Sequence, residues 1–469
     1  MSEGSVAPVG DPFEREYAAP MLEVPGPDVR EREREEREGE ALAVPWEPYA
    51  LRGCVLTPDR VVDDGWVVVG EGRVVEVSDR RPVGLRTIDT GGVVLPGLID
   101  LHGHPEYNVF AAWEPPREYA NRYQWRRSRE YAAVIKAPWR TLTQTTDEQP
   151  SLLRTLTRYA EARAMVGGVT ALQGASGRYP DPHESLVRNV DRYILGQQPG
   201  RSMVDLDRAR PEELARTRQR IDDGQIRALY VHLAEGTDEA SRREFEQLIE
   251  VGLLTGATVI IHGTALTDRQ LGDVKDAGAK LVWSPQSNLR LYGQTTAVAR
   301  ALRLGIPVGL GADWLPSGSP SLLEEIQVAR RILNQQGSRV GAKRLVGMVT
   351  SQAARIAGLY PQLGTLRPGT PADLLVLQRH HADPWESVVS SDRRSVELVT
   401  IGGDVTYGRI AWVDALAGPT EREPVTAWGK PMALDLTYSV MASPEEPPRL
   451  ANLRSQLLAR YPQTGPIFA

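Results

Sequence analysis

The residues of this sequence with the most chemistry in them are its histidines. There are seven, and four of them close short apolar runs: His102 and His104 in LPGLIDLHGH (residues 95–104), His232 in YVHLAE (230–235) and His262 in VIIH (259–262). An acid, Asp313, closes a fourth run, VGLGAD (308–313). His102 and His104 stand two apart on an extended segment, so both side chains leave on one face. Two ligands to one ion need that arrangement. Glu235 follows His232 by three positions, the wrong parity for that strand face, and must reach the site from the turn. A single buried histidine is more often a core residue satisfied by hydrogen bonds. Four at strand ends, joined by two acids, point instead to a metal-dependent hydrolytic centre. His183, in DPHES, and the His380-His381 pair fall in loop-like or accessory segments and read as structural or surface residues.

The pattern between these residues predicts what holds them together. Residues 151–166 place Leu152, Leu153, Leu156, Tyr159, Ala160 and Met165 at near-helical spacing and lead into the strand-like GGVTALQG. Helical SRREFEQLIEVGLL precedes ATVIIHG, TDRQLGDVKDAG precedes AKLVWSP, and TTAVARALRLG precedes IPVGLGAD. This alternation predicts a parallel sheet with crossover helices. The candidate residues fall at the C-terminal ends of its strands, where parallel barrels place their chemistry. Between Gly174 and Tyr230 only VDRYILGQ and SMVDLD read as weak strands, so a barrel would be distorted or abbreviated there. β-rich pieces lie on either side. LRGCVLTPDRVVDDGWVVVGEGRVVEVS shows turn signals at Asp63-Asp64-Gly65 and Gly70-Glu71-Gly72, and a similar texture returns at residues 364–406. Together they predict one small sheet domain built from both flanks.

These segments resemble the amidohydrolase superfamily, in particular the branch containing triazine hydrolases and cytosine and guanine deaminases. The resemblance spans about residues 46–435. It is carried by LPGLIDLHGH, the H-x-x-E of His232 and Glu235, His262, SPQSN at 284–288, Asp313 and the closing GTLRPGTPADLLVL. It implies an α/β fold, a distorted (β/α)8 TIM barrel with a small β-sandwich domain formed from both flanks. The corresponding division is 1–45 a charged, disordered tail, 46–94 and 361–435 the two parts of the sandwich, 95–360 the barrel and 436–469 an extension. The resemblance further implies that His102, His104, His232 and Asp313 ligate one divalent ion, Zn2+ first and Fe2+ second. Glu235 would shuttle a proton, and His262 would orient or deprotonate the attacking water. Asp313 can also take that proton, and the sequence leaves the choice of base open. Binuclear relatives bridge two metals with a carbamylated lysine from a middle strand. This chain has no lysine between Lys136 and Lys275, so a mononuclear site is expected.

The activity expected from the resemblance is metal-dependent hydrolysis of a non-peptide C–N bond in a small cyclic substrate. Deamination leads, because H-x-x-E can protonate a ring nitrogen. Amide or lactam hydrolysis on the same site, and a non-catalytic binding barrel, are the alternatives. The segment from Pro105 to Arg140 follows the first metal-binding strand and should rise over the barrel mouth. It holds eight aromatic residues and seven basic groups against four acidic ones. Aromatic faces and guanidinium groups suit a flat, anionic heterocycle. Tyr107, Trp113, Arg117, Arg122, Asn288 and Trp314 are therefore the candidate substrate contacts. The bland reading is that the aromatics pack a long loop.

Charge narrows the partners. Residues 1–45 carry 12 acidic and 5 basic groups, a net of −7, against −6 for the whole chain. The remainder is close to neutral and lacks the electrostatic footprint of a nucleic-acid or anionic-membrane binder. The run Glu31–Glu38 has no apolar stripe and reads as a solvated tail. The start of the sequence has no basic region before an apolar core, no stretch is long enough to span a membrane, and the single Cys54 cannot form an intrachain disulfide. The expectations are a cytoplasmic protein, a small-molecule substrate, no nucleic-acid or membrane partner, and a possible homodimer.

Overall fold

The computed structural model describes residues 47–146, 149–174, 185–192, 194–416, 422–437 and 449–468. The charged N-terminal run and His183 lie outside these residues. Four strands open the described chain: β1 (Tyr49–Leu56), β2 (Val61–Gly70), β3 (Arg73–Ser78) and β4 (Arg86–Pro96). Eight short ones follow: β5 (Leu98–Asp100), β6 (Val169–Leu172), β7 (Arg188–Asn189), β8 (Gly200–Met203), β9 (Ala228–Leu233), β10 (Thr258–His262), β11 (Lys280–Trp283) and β12 (Val308–Leu310). Five more complete the set: β13 (Leu374–Leu377), β14 (Val396–Ile401), β15 (Asp404–Arg409), β16 (Glu423–Ala427) and β17 (Lys430–Leu434).

The flanks form one hydrogen-bonded sheet of nine strands in the order β16-β17-β15-β14-β13-β4-β1-β2-β3. Its centre is the antiparallel pairing of β13 with β4, where Leu375 faces Leu95 and Val376 faces Val94. Val67, Val69, Val94, Leu374, Val376 and Leu398 pack one core on it. The turn expected at Gly70-Glu71-Gly72 is present, with Glu71 and Gly72 at φ of 51° and 71°. Asp63-Asp64-Gly65 is instead continuous strand within β2. Gly65 sits opposite an irregularity at Gly53, and Arg52 holds Asp64 across the pair at 2.6 Å. A cross-strand ion pair gives these acids a place in the ladder that their turn propensity does not show.

The eight middle strands are all parallel and run in the order β7-β6-β5, then β12-β11-β10-β9-β8. The two groups meet where Leu101 N donates to Leu310 O at 3.2 Å and Asp313 N to His102 O at 2.9 Å. This is a TIM-barrel-like α/β fold. Among the described residues no backbone ladder joins β7 to β8, so the ring is not closed there by main-chain bonds. A polar side-chain link, Ser202 Oγ to Asp191 Oδ2 at 2.6 Å, bridges the gap. Among the described residues of VDRYILGQ no strand forms; two residues just before it, Arg188-Asn189, pair with β6. SMVDLD contributes its first two residues to β8.

The crossover helices form where the spacing predicted. Helix Asp268–Asp276 begins with a capping box between Thr267 and Gln270, and helix Val298–Leu304 ends at Gly305 in the left-handed conformation. Ile99, Ala171, Tyr230, Val259, Ile261 and Val282 join one buried cluster, each large apolar side chain contributing roughly 1.5–3 kcal/mol. No helix among the described residues is long and apolar enough to cross a membrane.

Candidate active site

The candidate residues converge at one end of the parallel strands. His102 and His104 follow β5, His232 lies in β9, His262 ends β10, and Asp313 lies just beyond β12. Two of these positions are held in strained backbone: His262 and Asp313 have φ of 67° and 63°. Left-handed backbone at residues other than glycine costs about 1–3 kcal/mol and persists where a function requires it. His102, His232, His262 and Asp313 are buried, and His104 is partly exposed.

The potential ligand atoms lie within a few ångströms of one another. His102 Nε2 is 3.1 Å and His104 Nε2 3.7 Å from Asp313 Oδ1. His232 Nε2 and His104 Nε2 face each other at 3.3 Å. In the sets His102–His104–Asp313 and His102–His232–His262 all ligand atoms lie within 4.8 Å of one another. A buried imidazole nitrogen set against a carboxylate oxygen, with two further imidazole nitrogens in apposition, forms a donor set that fits a divalent cation of the zinc type.

Electrostatics agrees with this fit at three of the four residues, His104, His232 and Asp313. His104 is lowered to about 3, chiefly by burial and then by the charge of His102. His232 is pushed well below its ordinary value by burial and by the neighbouring rings. Both stay neutral, with lone pairs available. Burial opposes the charged form of Asp313, but the charge and hydrogen bond of His102 outweigh it and hold the carboxylate below its usual range. Burial also works against protonated His102, yet the Asp313 charge and hydrogen bond, with Asp100, raise it.

Four of the site residues are gripped from behind. His102 Nδ1 lies 3.4 Å from Gln173 Oε1, and Gln173 Nε2 donates to Ser202 Oγ at 2.8 Å and Asp191 Oδ2 at 3.2 Å. Such a partner fixes the tautomer and turns Nε2 towards the site. The helix Pro285–Tyr292, which follows β11, holds three more. Ser287 Oγ donates to Asp313 Oδ2 at 2.5 Å, Asn288 Oδ1 meets His262 Nδ1 at 2.9 Å, and the Tyr292 hydroxyl donates to Glu235 Oε1 at 2.6 Å. With Nδ1 engaged, His262 presents Nε2 to Glu235 Oε2 at 3.8 Å. Glu235 reaches in from the turn after β9, as its parity requires.

The lid candidates divide. Tyr107 sits in a turn directly after His104, 5.4 Å from Trp314 between ring centroids and 6.4 Å from His104. Trp314 also meets Trp125 and Tyr131. Trp113 is buried among Tyr119, Trp125 and Tyr131, and Arg117 is exposed over the Tyr119 ring. Arg122 is buried between Asp205 and Glu244, 3.3 Å from each, and donates to the His232 carbonyl. Its guanidinium fastens the lid to the barrel. Asn288 stands behind His262. His380 and His381 lie remote from the centre, after β13, hydrogen-bonding with Ser390 and Ser387. Gln173, Asp191, Ser202, Ser287 and Tyr292 escaped the sequence reading. The only signals were that Gln173 ends a strand, and that Ser287 belongs to SPQSN.

Comparison with known proteins decides the family. Residues 93–406, which contain every expected ligand, match the model of the amidohydrolase family. This chain belongs to that family. Relatives include a 5-methylthioadenosine/S-adenosylhomocysteine deaminase of Nitratidesulfovibrio vulgaris, 26% identical, with 80% of this chain and 96% of the relative covered. An 8-oxoguanine deaminase of Pseudomonas aeruginosa is 24% identical, covering 78% of this chain and 94% of its own length. Among solved structures, an adenosine deaminase of Xanthomonas campestris with bound zinc superposes with a TM-score of 0.63 at 15% identity, over 88% of this chain and 98% of that one. That last likeness is one of fold, and it supports a TIM-barrel-like architecture for this amidohydrolase.

Proposed function

We propose that this amidohydrolase is a zinc-dependent hydrolytic deaminase of a small, cyclic, amidine-bearing substrate. The observation that carries the reading is the meeting at one point of a cation-ready donor set and the Glu235–His262 pair, 3.8 Å apart. The deaminase names of the relatives support a purine-like substrate. In this reading His102, His104, His232 and Asp313 hold one metal ion. That ion, when bound, supplies Lewis acidity, bringing the pKa of water from about 16 towards roughly 7. His262 Nε2 orients the water, and Asp313 or Glu235 takes its proton. Glu235 delivers a proton to the ring nitrogen next to the attacked carbon, making that carbon electrophilic. Water oxygen bonds to the carbon, its second proton passes through Asp313 or Glu235 to the exocyclic nitrogen, the C–N bond breaks, and ammonia leaves. Tyr107 and Trp314 supply flat walls, with Arg117 at the rim, while Trp113 packs the lid and Arg122 and Asn288 hold other residues in place.

The same reading treats 46–94 with 361–435 as a β-sandwich beside a distorted (β/α)8 barrel at 95–360, flanked by 1–45 and 436–469. It places the enzyme in the cytoplasm. Metal analysis coupled to an ammonia-release screen over aminopurines, other amidines and lactams tests it. About one zinc per chain and ammonia from an amidine are expected. Two tightly bound ions would overturn the mononuclear site. Ring opening of a lactam without ammonia would make this an amide hydrolase.

A further inference from the structure

Glu235 has two oxygens, and the structure distinguishes them. Trp125, on the lid helix Arg122–Arg126, points its indole nitrogen at the Tyr292 hydroxyl, 2.8 Å away. Tyr292 OH lies 2.6 Å from Glu235 Oε1. All three side chains are buried, at 9%, 2% and 5% exposure. An indole N–H can only donate, so the phenol oxygen accepts there and its single proton is turned towards Oε1. Placing a proton on Oε1 would exchange the carboxylate acceptor of that buried phenol hydrogen for the much weaker hydroxyl oxygen of a carboxylic acid, which is costly. Oε2, facing His262 Nε2 at 3.8 Å, carries no such constraint.

We infer that Tyr292 is a positioning residue that makes Oε2 the proton-carrying oxygen of Glu235, and that Trp125 of the lid fixes the direction of its hydrogen bond. The inference rests on the proton-shuttle role given to Glu235 above. It adds that the shuttle is aligned only when the lid is seated. The lid is anchored beside it: Arg122 N donates to Glu235 O at 3.2 Å and Thr237 N to Ala120 O at 2.7 Å. Asn288 and Tyr292 are four apart, on one face of their helix, so a single element sets both His262 and Glu235.

The test uses full-length enzyme loaded with zinc. Tyr292→Phe should keep metal content and KM while lowering kcat roughly 10- to 100-fold, the effect of losing one hydrogen bond to a charged group. Trp125→Phe, which leaves the phenol free to turn, should lower kcat in the same sense but less. In a Glu235→Gln background Tyr292→Phe should cost little more, because the group it positions is already disabled. Crystals of Tyr292→Phe should show the Glu235 carboxylate displaced from its present rotamer. An unmoved Glu235, a loss borne by KM, or fully multiplicative effects of Tyr292→Phe and Glu235→Gln would each overturn the inference. If Tyr292→Phe does not fold, Trp125→Phe alone decides, and an unchanged kcat refutes the alignment. Failure to release ammonia from any substrate would instead defeat the deaminase reading, while the position of Glu235 in the crystals still tests this one.

Discussion

Replacing Ser287 by alanine should weaken zinc binding without touching a ligand. The Ser287 hydroxyl donates to Asp313 Oδ2 at 2.5 Å and lies 2.7 Å from Ser317 Oγ, all in buried surroundings. Asp313 must remain ionised to hold a cation, and burial opposes that. A hydrogen bond to a charged group contributes about 1.5–3 kcal/mol. At about 1.4 kcal/mol per factor of ten, its loss should raise the dissociation constant for zinc roughly 10- to 100-fold, the range typical of groups that orient metal ligands. Titration of the metal-free protein against a chelator of known zinc affinity measures this directly. Ser317→Ala removes the neighbouring hydroxyl but not the donor to Asp313, and should have a much smaller effect. Unchanged affinity in Ser287→Ala would show that the hydroxyl does not support the ligand. Equal losses in the two variants would mean that the pocket responds to polarity in general.

Glu235→Gln should retain zinc and lower kcat by ~10²-fold or more; loss of metal on elemental analysis would make Glu235 a ligand. Gly236→Ala should destabilise the fold. Gly236 has φ of 155°, and an added Cβ would lie 2.3 Å from Ser241 Oγ and 2.4 Å from Ala120 O. Backbone strain of roughly 1–3 kcal/mol and overpacking of about 1–3 kcal/mol should both appear in denaturant unfolding. In the metal-free chain, His104, His232 and His262 are all lowered by burial, so the folded state binds fewer protons than the unfolded one below the usual 6.5. Stability should therefore fall as pH drops from 6.5 towards about 3, the folded value of His104. Raised His102 acts in a separate window: its contribution is complete below 6.5 and is lost as pH rises above that value. Melting temperatures across that window check the sign, and His104→Asn should flatten the slope. Alanine at Tyr107 or Trp314 should raise KM on the true substrate while zinc content stays unchanged.

What the sequence showed of this site was whatever local periodicity encodes. His102 and His104 share a strand face by parity, and the turn position of Glu235 followed from the same rule. Long-range partners were not legible. Nothing near Arg122 announced that Asp205 and Glu244 would close on it, so it read as a ligand-binding group. Nothing in SPQSNLRLY distinguished a substrate loop from a helix whose Ser287, Asn288 and Tyr292 face three different strand ends. Sheet continuity was equally hidden. A two-residue strand such as Arg188-Asn189 carries no periodicity, and Asp63-Asp64-Gly65 looks like a turn until Arg52 lies beside it. Partners on the neighbouring strand, rather than propensity, decided those segments.

The nine-stranded sheet also sets an order of events on the ribosome. Val93, Val94 and Leu95 of β4 are fully buried, and one edge of that strand is covered by β13. At roughly 5–20 residues per second, β13 emerges tens of seconds after β4. During that interval the nascent chain presents an apolar strand edge of the kind that recruits other strands. A chain cut before Leu374 would keep every expected ligand and the whole parallel sheet. It would be a poor minimal enzyme all the same, because its N-terminal strands would be left seeking a partner in another molecule.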